Sequence, residues 1–220
     1  MLHTDKKQYL VTTLPRVVGK QTVAGVISRI GSANRRQWQA DLTAVKGQYP
    51  PRHVTLLAIK STKTLEVWAE NAQKRYVHVK TYPILAASGR LGPKLREGDR
   101  QVPEGLYRII GLNPNSSYHL SMQLNYPNAF DLKQAQAEGR SQPGSNIFIH
   151  GKALSIGCLA MGDTNIEQLF TLVHDVGPAN IDVIITPTDP RTAALVVPPG
   201  APAWTASLYR SIEKATAKFR

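Results

Sequence analysis

The sequence predicts a β-rich α+β domain with helices at its periphery. Three observations indicate this class. The 220 residues are 42% hydrophobic, which is enough for one sizeable core. The segments between residues 54 and 124 are short and mostly alternate apolar with polar side chains, as antiparallel strands do. The last third of the chain shows helix, strand and helix patterns in turn.

The composition excludes several classes of protein. Disordered, collagen-like and coiled-coil chains have other compositions. No apolar run reaches the roughly 20 residues of a transmembrane helix, so no integral membrane segment is expected. The single cysteine, Cys158, excludes an intramolecular disulfide and a multi-cysteine zinc site. A net charge of +12 favours an acidic or polyanionic partner.

The N-terminal part, residues 1–50, is predicted to be a basic helical extension. Residues 1–53 hold nine basic and two acidic residues. A helix is predicted from Ser32 or Asn34 to about residue 46. Its apolar face consists of Trp38, Leu42 and Val45. That face is expected to dock on the rest of the chain, which leaves Arg35 and Arg36 in solvent as a landing patch for an acidic polymer.

The segment 47–51 ends this helix and marks a boundary, so a second domain is predicted over residues 51–220. Its predicted strands cover residues 54–59, 64–68, 76–84, 106–110, 118–124 and 147–149. The first two form a hairpin. Residues 125–144 are polar and are expected to be irregular.

The last third begins with a predicted capping box, Thr164 with Glu167, at the start of a helix. Gly177 and the proline after it end that helix. A strand follows over residues 181–186. The C-terminal helix carries an apolar stripe of Leu208, Ile212, Ala215 and Phe219.

Cys158 is the residue with the clearest chemical potential. A lone cysteine is most often a small buried apolar side chain. Here it follows Gly157, which allows a substrate backbone to approach, and it precedes a helix N-terminus that would favour the thiolate. His150 lies eight residues earlier, and the sulfur is expected within about 4 Å of its ring. A cysteine and a histidine form the minimum for an activated thiol nucleophile.

These residues carry a resemblance to a known family. His150-Gly151 and Ser155-x-Gly157-Cys158 resemble the active-site signature of the YkuD-type L,D-transpeptidases. The short spacer, and Ile156 in place of a second histidine, are similar to the YafK-like branch. The resemblance extends from about residue 49 to the C-terminal helix. Further similar segments are residues 102–107, 115–120 and 125–131.

The resemblance implies a YkuD-like β-sandwich or barrel that acts on peptidoglycan stem peptides, without a metal or organic cofactor. It implies that Cys158 attacks the carbonyl of an L-residue and that His150 takes the thiol proton. The Gly151 carbonyl would orient the His150 ring, and the backbone around Gly157 would hold the oxyanion. An amine would resolve the resulting thioester to a cross-link, whereas water would resolve it by hydrolysis.

Six further residues are candidates for substrate binding, each with a plainer structural alternative such as packing, loop bonding or a simple loop charge. They are Ser155, Arg140, His119, Tyr118, Tyr126 and Asn128. Arg140 is singled out because a guanidinium can bind a carboxylate with two hydrogen bonds.

Three hypotheses of function follow. The first is a cross-linking L,D-transpeptidase, and the second is a YafK-like amidase that hydrolyses stem or protein–peptidoglycan bonds. The third is a non-catalytic binder of an anionic polymer such as nucleic acid, although no nucleic-acid-binding motif is present. Residues 1–7 precede no apolar signal core, which leaves a cytosolic protein and a mature exported chain as alternatives. The family resemblance implies the second, a wall-facing protein in the periplasm.

Overall fold

The computed structural model describes residues 19–219, which contain four α-helices and nine strands. The helices are α1 (Val23–Ala44), α2 (Ala129–Ala137), α3 (Asp163–Val176) and α4 (Thr205–Thr216). The strands are β1 (Val54–Ile59), β2 (Thr64–Glu70), β3 (Tyr76–Pro83), β4 (Ala86–Ala87), β5 (Gly105–Ser116), β6 (His119–Leu124), β7 (Phe148–His150), β8 (Leu159–Ala160) and β9 (Ile181–Thr186). The β-rich α+β class is confirmed. None of the helices within residues 19–219 combines the length and apolar character needed to cross a membrane.

The strands form one mixed sheet in the order β3-β2-β1-β9-β5-β6-β7-β8-β4. Only the pairs β1–β9 and β7–β8 are parallel. The twelve-residue strand β5 pairs with β9 through residues 105–108 and with β6 through its remaining length. It therefore connects the half of the sheet formed by β1, β2, β3 and β9 with the half formed by β4, β6, β7 and β8.

The interior strand β1, third in the sheet order, is buried along its whole length because helices cover both faces of the sheet. Leu56 packs in the larger core cluster, which includes Trp38 of α1 and Phe170 of α3. Leu57 points to the opposite face and packs with Ile212 of α4. The alternation of side chains along one strand thus supplies both cores.

Two helices differ from the sequence-based prediction. α1 begins at Val23, about ten residues earlier than predicted, where the Thr22 side chain accepts a hydrogen bond from the Gly25 N–H. Burial of Val26 stabilises this first part of the helix in spite of its glycines. α2 lies in the segment predicted to be irregular. Its polar sequence has no apolar stripe, so periodicity could not reveal it, but Asn128 and Asp131 form a capping box there.

Two of the three residues predicted for the apolar face of α1 dock on α3 as predicted, whereas Val45 is the half-buried C-cap that follows the helix. Trp38 and Leu42 are both 1% exposed, and the Trp38 indole donates a hydrogen bond to the Gln168 carbonyl. The division into an extension, residues 1–50, and a catalytic domain, residues 51–220, stays a prediction. Residues 1–18 of that extension and Arg220 lie outside the described residues.

Arg35 does not face solvent freely, and that expectation was wrong. Its guanidinium donates two hydrogen bonds, of 2.7 and 2.8 Å, to the Asp175 carboxylate on α3. The Tyr49 hydroxyl donates to the same carboxylate. Burial would raise the pKa of Asp175, but the hydrogen bonds from Arg35, Tyr49 and His174 outweigh it and lower this pKa to about 2. Arg36, by contrast, is exposed and contacts only Ser32 of its own helix among the hydrogen bonds of the described residues.

Replacing Arg35 by glutamine is therefore expected to lower the free energy of unfolding by about 1–2 kcal/mol at pH 7. The loss is modest because 41% of the Arg35 side chain is exposed to solvent, which weakens the ion pair. Asp175 has a lowered pKa in the folded state, so its contribution is present at neutral pH and is lost as the pH falls from about 4 towards 2. Urea unfolding at several pH values measures this, with R36Q as the matched control. Equal stability of the two variants would contradict the prediction.

Candidate active site

The candidate site lies where β6, β7 and β8 run side by side. His150, the last residue of β7, is directly opposite Ser121 of β6 and Ala160 of β8. Cys158 immediately precedes β8, two residues before Ala160. Side chains two residues apart in a strand share a face, so the strand register brings His150 and Cys158 to the same face of the sheet.

Both side chains line one cavity of about 250 Å³. Its other wall residues come mainly from the β5–β6 hairpin and are uncharged: Asn113, Asn115, Ser116, Ser117, Tyr118, Ser121 and Phe148. Amide and hydroxyl groups of this kind can exchange hydrogen bonds with the amides of a peptide. Among the six residues predicted for substrate binding, only Tyr118 is part of this wall.

The His150 ring is 3% exposed and is held from two directions. Its Nδ1 donates to the Gly151 carbonyl at 2.6 Å; since a carbonyl can only accept, Nδ1 carries the proton and Nε2 is left free as a base. The Tyr118 ring packs against the imidazole with centroids 4.5 Å apart. Burial lowers the pKa of His150, and the hydrogen bond to Gly151 offsets this only in part.

The Cys158 thiol is only partly exposed and donates a long hydrogen bond of 3.8 Å to the Asn146 carbonyl. Burial raises its pKa, and the Phe148 N–H and the Lys94 charge counter this effect incompletely. Burial thus opposes the thiolate that the position before a helix N-terminus was expected to favour. The two pKa directions favour a neutral thiol beside a neutral imidazole, and the S–H bond has to turn from Asn146 before His150 can take the proton.

The turn before Cys158 is held by Ser155. Its hydroxyl donates to the Cys158 carbonyl at 2.7 Å and accepts a longer, 3.3 Å contact from the Gly157 N–H. Gly157 has φ +125°, a backbone conformation that residues other than glycine rarely adopt. The two residues thus shape the loop that presents the sulfur. Of the two roles considered for Ser155, substrate binding and hydrogen bonding within the loop, the structure shows the second.

Arg140 and His119 are committed to other partners. The Arg140 guanidinium donates to the Glu138 carboxylate and to the Leu95 carbonyl, so its fork is occupied. His119 Nε2 lies 2.8 Å from Glu167 Oε1 on α3. Glu167 was expected to complete a capping box, but α3 starts after Gly162 without a side-chain cap. Neither residue is part of the cavity wall.

Tyr126 and Asn128 support the surrounding structure. The buried Tyr126 hydroxyl donates to the Pro143 carbonyl at 2.7 Å. Asn128 caps α2, and its side-chain amide donates to the Leu106 carbonyl. Both residues have a structural role in place of the predicted substrate contact, and neither lines the cavity.

Asn113, Asn115 and the serines of the cavity wall have no role that was predicted from the sequence. One signal was available, because the polar run 113–117 lies between two strands and precedes Tyr118. The sequence does not show that β6 pairs with β7, and this pairing brings the hairpin beside His150. Lys152 adds a second link, since its ammonium group donates to the Ser117 carbonyl at 2.7 Å.

The lowered pKa of His150 predicts how turnover depends on pH. A base works only while it is unprotonated, so the reaction should persist as the pH falls through 6.5, the ordinary value, and decline only below it. The pH profile of kcat/KM on a soluble muropeptide measures this acid limb. The variant H78Q, which alters an exposed histidine on β3, should leave the limb in place. An acid limb with its midpoint above 6.5 would contradict the prediction.

Comparison with known proteins agrees with this architecture. The model of the YkuD family, the L,D-transpeptidase catalytic domain, matches residues 54–185, and the chain belongs to this family. YafK of Escherichia coli strain K12, whose name gives L,D-transpeptidase as a provisional assignment, is 34% identical over 139 residues. The match covers 61% of this chain and 54% of YafK, and YafK of strain O157:H7 matches equally. The chain thus spans about half the length of these curated relatives.

Among solved structures, the helical cell shape determining protein Pgp2 of Campylobacter jejuni is similar, with a TM-score of 0.53 and 23% identity. The match covers 76% of this chain and 56% of Pgp2. At this level of identity the likeness shows a shared fold.

Proposed function

We propose that this chain is a peptidoglycan L,D-transpeptidase that uses Cys158 as its nucleophile. One observation carries the proposal: the only cysteine of the chain shares a cavity with a histidine whose Nδ1 is tied to the Gly151 carbonyl. That hydrogen bond directs the basic Nε2 lone pair away from Gly151. A thiol and a correctly held base are the parts that acyl transfer requires.

In the first half of the reaction, the Cys158 sulfur bonds to the carbonyl carbon of an L-residue while its proton passes to His150 Nε2. The carbonyl becomes an oxyanion, which backbone N–H groups of Gly157 and Cys158 would stabilise. Such donors contribute about 3–4 kcal/mol each. The Gly157 N–H makes only a 3.3 Å contact with Ser155, so it can turn to this task. Collapse breaks the C–N bond, Nε2 protonates the leaving amine, and a thioester remains.

In the second half, the amine of another stem peptide attacks the thioester and gives its proton to Nε2. The C–S bond breaks, the proton returns to sulfur and an amide cross-link is formed. The family acts on stem peptides, which carry carboxylates, and the net charge of +12 favours association with such an anionic polymer. We place the protein outside the cytoplasmic membrane, where this substrate lies.

Muropeptide analysis tests the proposal. Purified protein is incubated with peptidoglycan sacculi, and the soluble products are separated and weighed by mass spectrometry. New dimers that the C158A variant does not produce are the expected result. Trimmed stems or released peptides without dimers would show that the enzyme hydrolyses the thioester, which is the amidase alternative. Unchanged muropeptides would contradict both the transpeptidase and the amidase proposals.

A further inference from the structure

The tip of the β5–β6 hairpin, residues 113–118, is tied to the segment that leads into α1. The Gln21 backbone N–H donates to Asn115 Oδ1, and Asn115 Nδ2 donates back to the Gln21 carbonyl, both at 2.8 Å. One side-chain amide therefore satisfies both polar groups of one backbone residue. Gln21 immediately precedes Thr22, the N-cap of α1, and Asn115 lines the cavity that holds Cys158.

The same tip is anchored on its other side and within itself. Lys152 reaches it from the loop after β7 through the Ser117 carbonyl. Inside the tip, the Asn115 N–H donates to Asn113 Oδ1 at 2.9 Å, and the Tyr118 N–H donates to Ser116 Oγ at 3.1 Å. A turn held by two neighbouring segments and by its own hydrogen bonds has few positions open to it, so the last residue of the tip is also fixed.

That residue is Tyr118, whose ring packs against His150. We propose that Asn115 is a positioning residue: by tying the hairpin tip to Gln21, it holds Tyr118 against the imidazole of His150. The segment before α1 thereby supports the active-site wall through Asn115, rather than only offering a surface for polymer binding. The inference rests on the proposed function only in taking Cys158 and His150 as the reacting pair.

Two variants break the tie in different ways, and a third leaves it intact. N115A removes both hydrogen bonds, whereas Q21P removes the backbone donor together with the Gln21 side chain. Q21A is the matched control for Q21P, since it keeps the backbone N–H and carbonyl and loses only the side chain, whose amide donates a long, 3.4 Å hydrogen bond to the Pro114 carbonyl. None of the three removes a titratable group near the ring, where Cys158, Tyr118, Lys152 and Asp163 are found.

The readout is the His150 ring in nuclear magnetic resonance spectra recorded over a pH series, a measurement that needs no peptidoglycan. In N115A and Q21P, loss of the Tyr118 contact exposes the ring to water. Its pKa should rise towards 6.5, and its ring-proton resonances should lose the shift caused by the tyrosine ring. Q21A should titrate like the unaltered protein.

Tyr118 supplies an independent pair of variants. Y118L removes the aromatic contact and should reproduce the N115A spectrum, whereas Y118F keeps it and should restore the original titration. Folded N115A and Q21P proteins with an unchanged His150 titration and unchanged ring-proton shifts would overturn the inference. If N115A fails to fold, Q21P and Y118L decide the question. An inactive protein that gives the expected spectra would overturn the proposed function alone.

Discussion

Replacing Cys158 by alanine is expected to abolish turnover of sacculi and of soluble muropeptides. The substitution removes the only thiol of the chain, and no other side chain in the cavity can form a thioester. Losing a nucleophile of this kind costs on the order of 10⁶-fold in kcat where it has been measured, so product should fall below detection. Product formation under single-turnover conditions is the measurement.

The fold should survive this change, because Cys158 is only partly buried and its side chain makes one long hydrogen bond. Thermal unfolding of C158A should therefore match that of S207A, which alters an exposed serine on α4. Retained turnover by a folded C158A protein would contradict the proposal that Cys158 is the nucleophile.

Replacing Gly151 by alanine should damage both stability and catalysis. A Cβ on Gly151 would lie 2.6 Å from the Tyr118 carbonyl and 2.7 Å from Asp163 Oδ1, well inside contact distance. The loop has to shift, which costs about 1–3 kcal/mol of unfolding free energy. The shift also moves the carbonyl that holds the His150 ring, and misplacement by about 1 Å can lower kcat by about 100-fold. Chemical unfolding and kcat on a soluble muropeptide measure the two effects.

Gly111 offers the matched control for this experiment. A Cβ there would meet nothing closer than the Gln123 side chain at 3.8 Å, which is ordinary contact. G111A should therefore retain stability and kcat. If G151A behaves like G111A, the close packing around Gly151 does not position the imidazole.

The strands that form the centre of the sheet could be predicted from the sequence. β1 and β9 match the predicted bounds because each is a mostly apolar run, interrupted by Thr55 in β1 and by Asp182 in β9, as expected of a strand covered on both faces. The motif residues His150 and Cys158 could also be placed in one site, since they flank a short glycine-containing loop. These features depend on neighbours in the chain, which a sequence displays directly.

The features that could not be predicted depend on partners that are distant in the chain. The helical periodicity of the sequence places Arg35 off the apolar face of α1. It does not show that α3 brings Asp175 within hydrogen-bond distance of Arg35. Arg140 has the right chemistry for a substrate carboxylate, yet Glu138 occupies its guanidinium. The bond between Gln21 and Asn115 joins residues 94 positions apart, and no local pattern indicates it.

The position of β9 has a consequence for the order in which the chain can fold during synthesis. β1 pairs with β2 and β9, and β5 pairs with β6 and β9. Strand pairing joins the two halves of the sheet only through residues 181–186. A nascent chain that ends before residue 181 therefore carries two open strand edges, one on β1 and one on β5. The two halves of the sheet can pair only after the ribosome has released β9, and pairing across so long a sequence separation is slow.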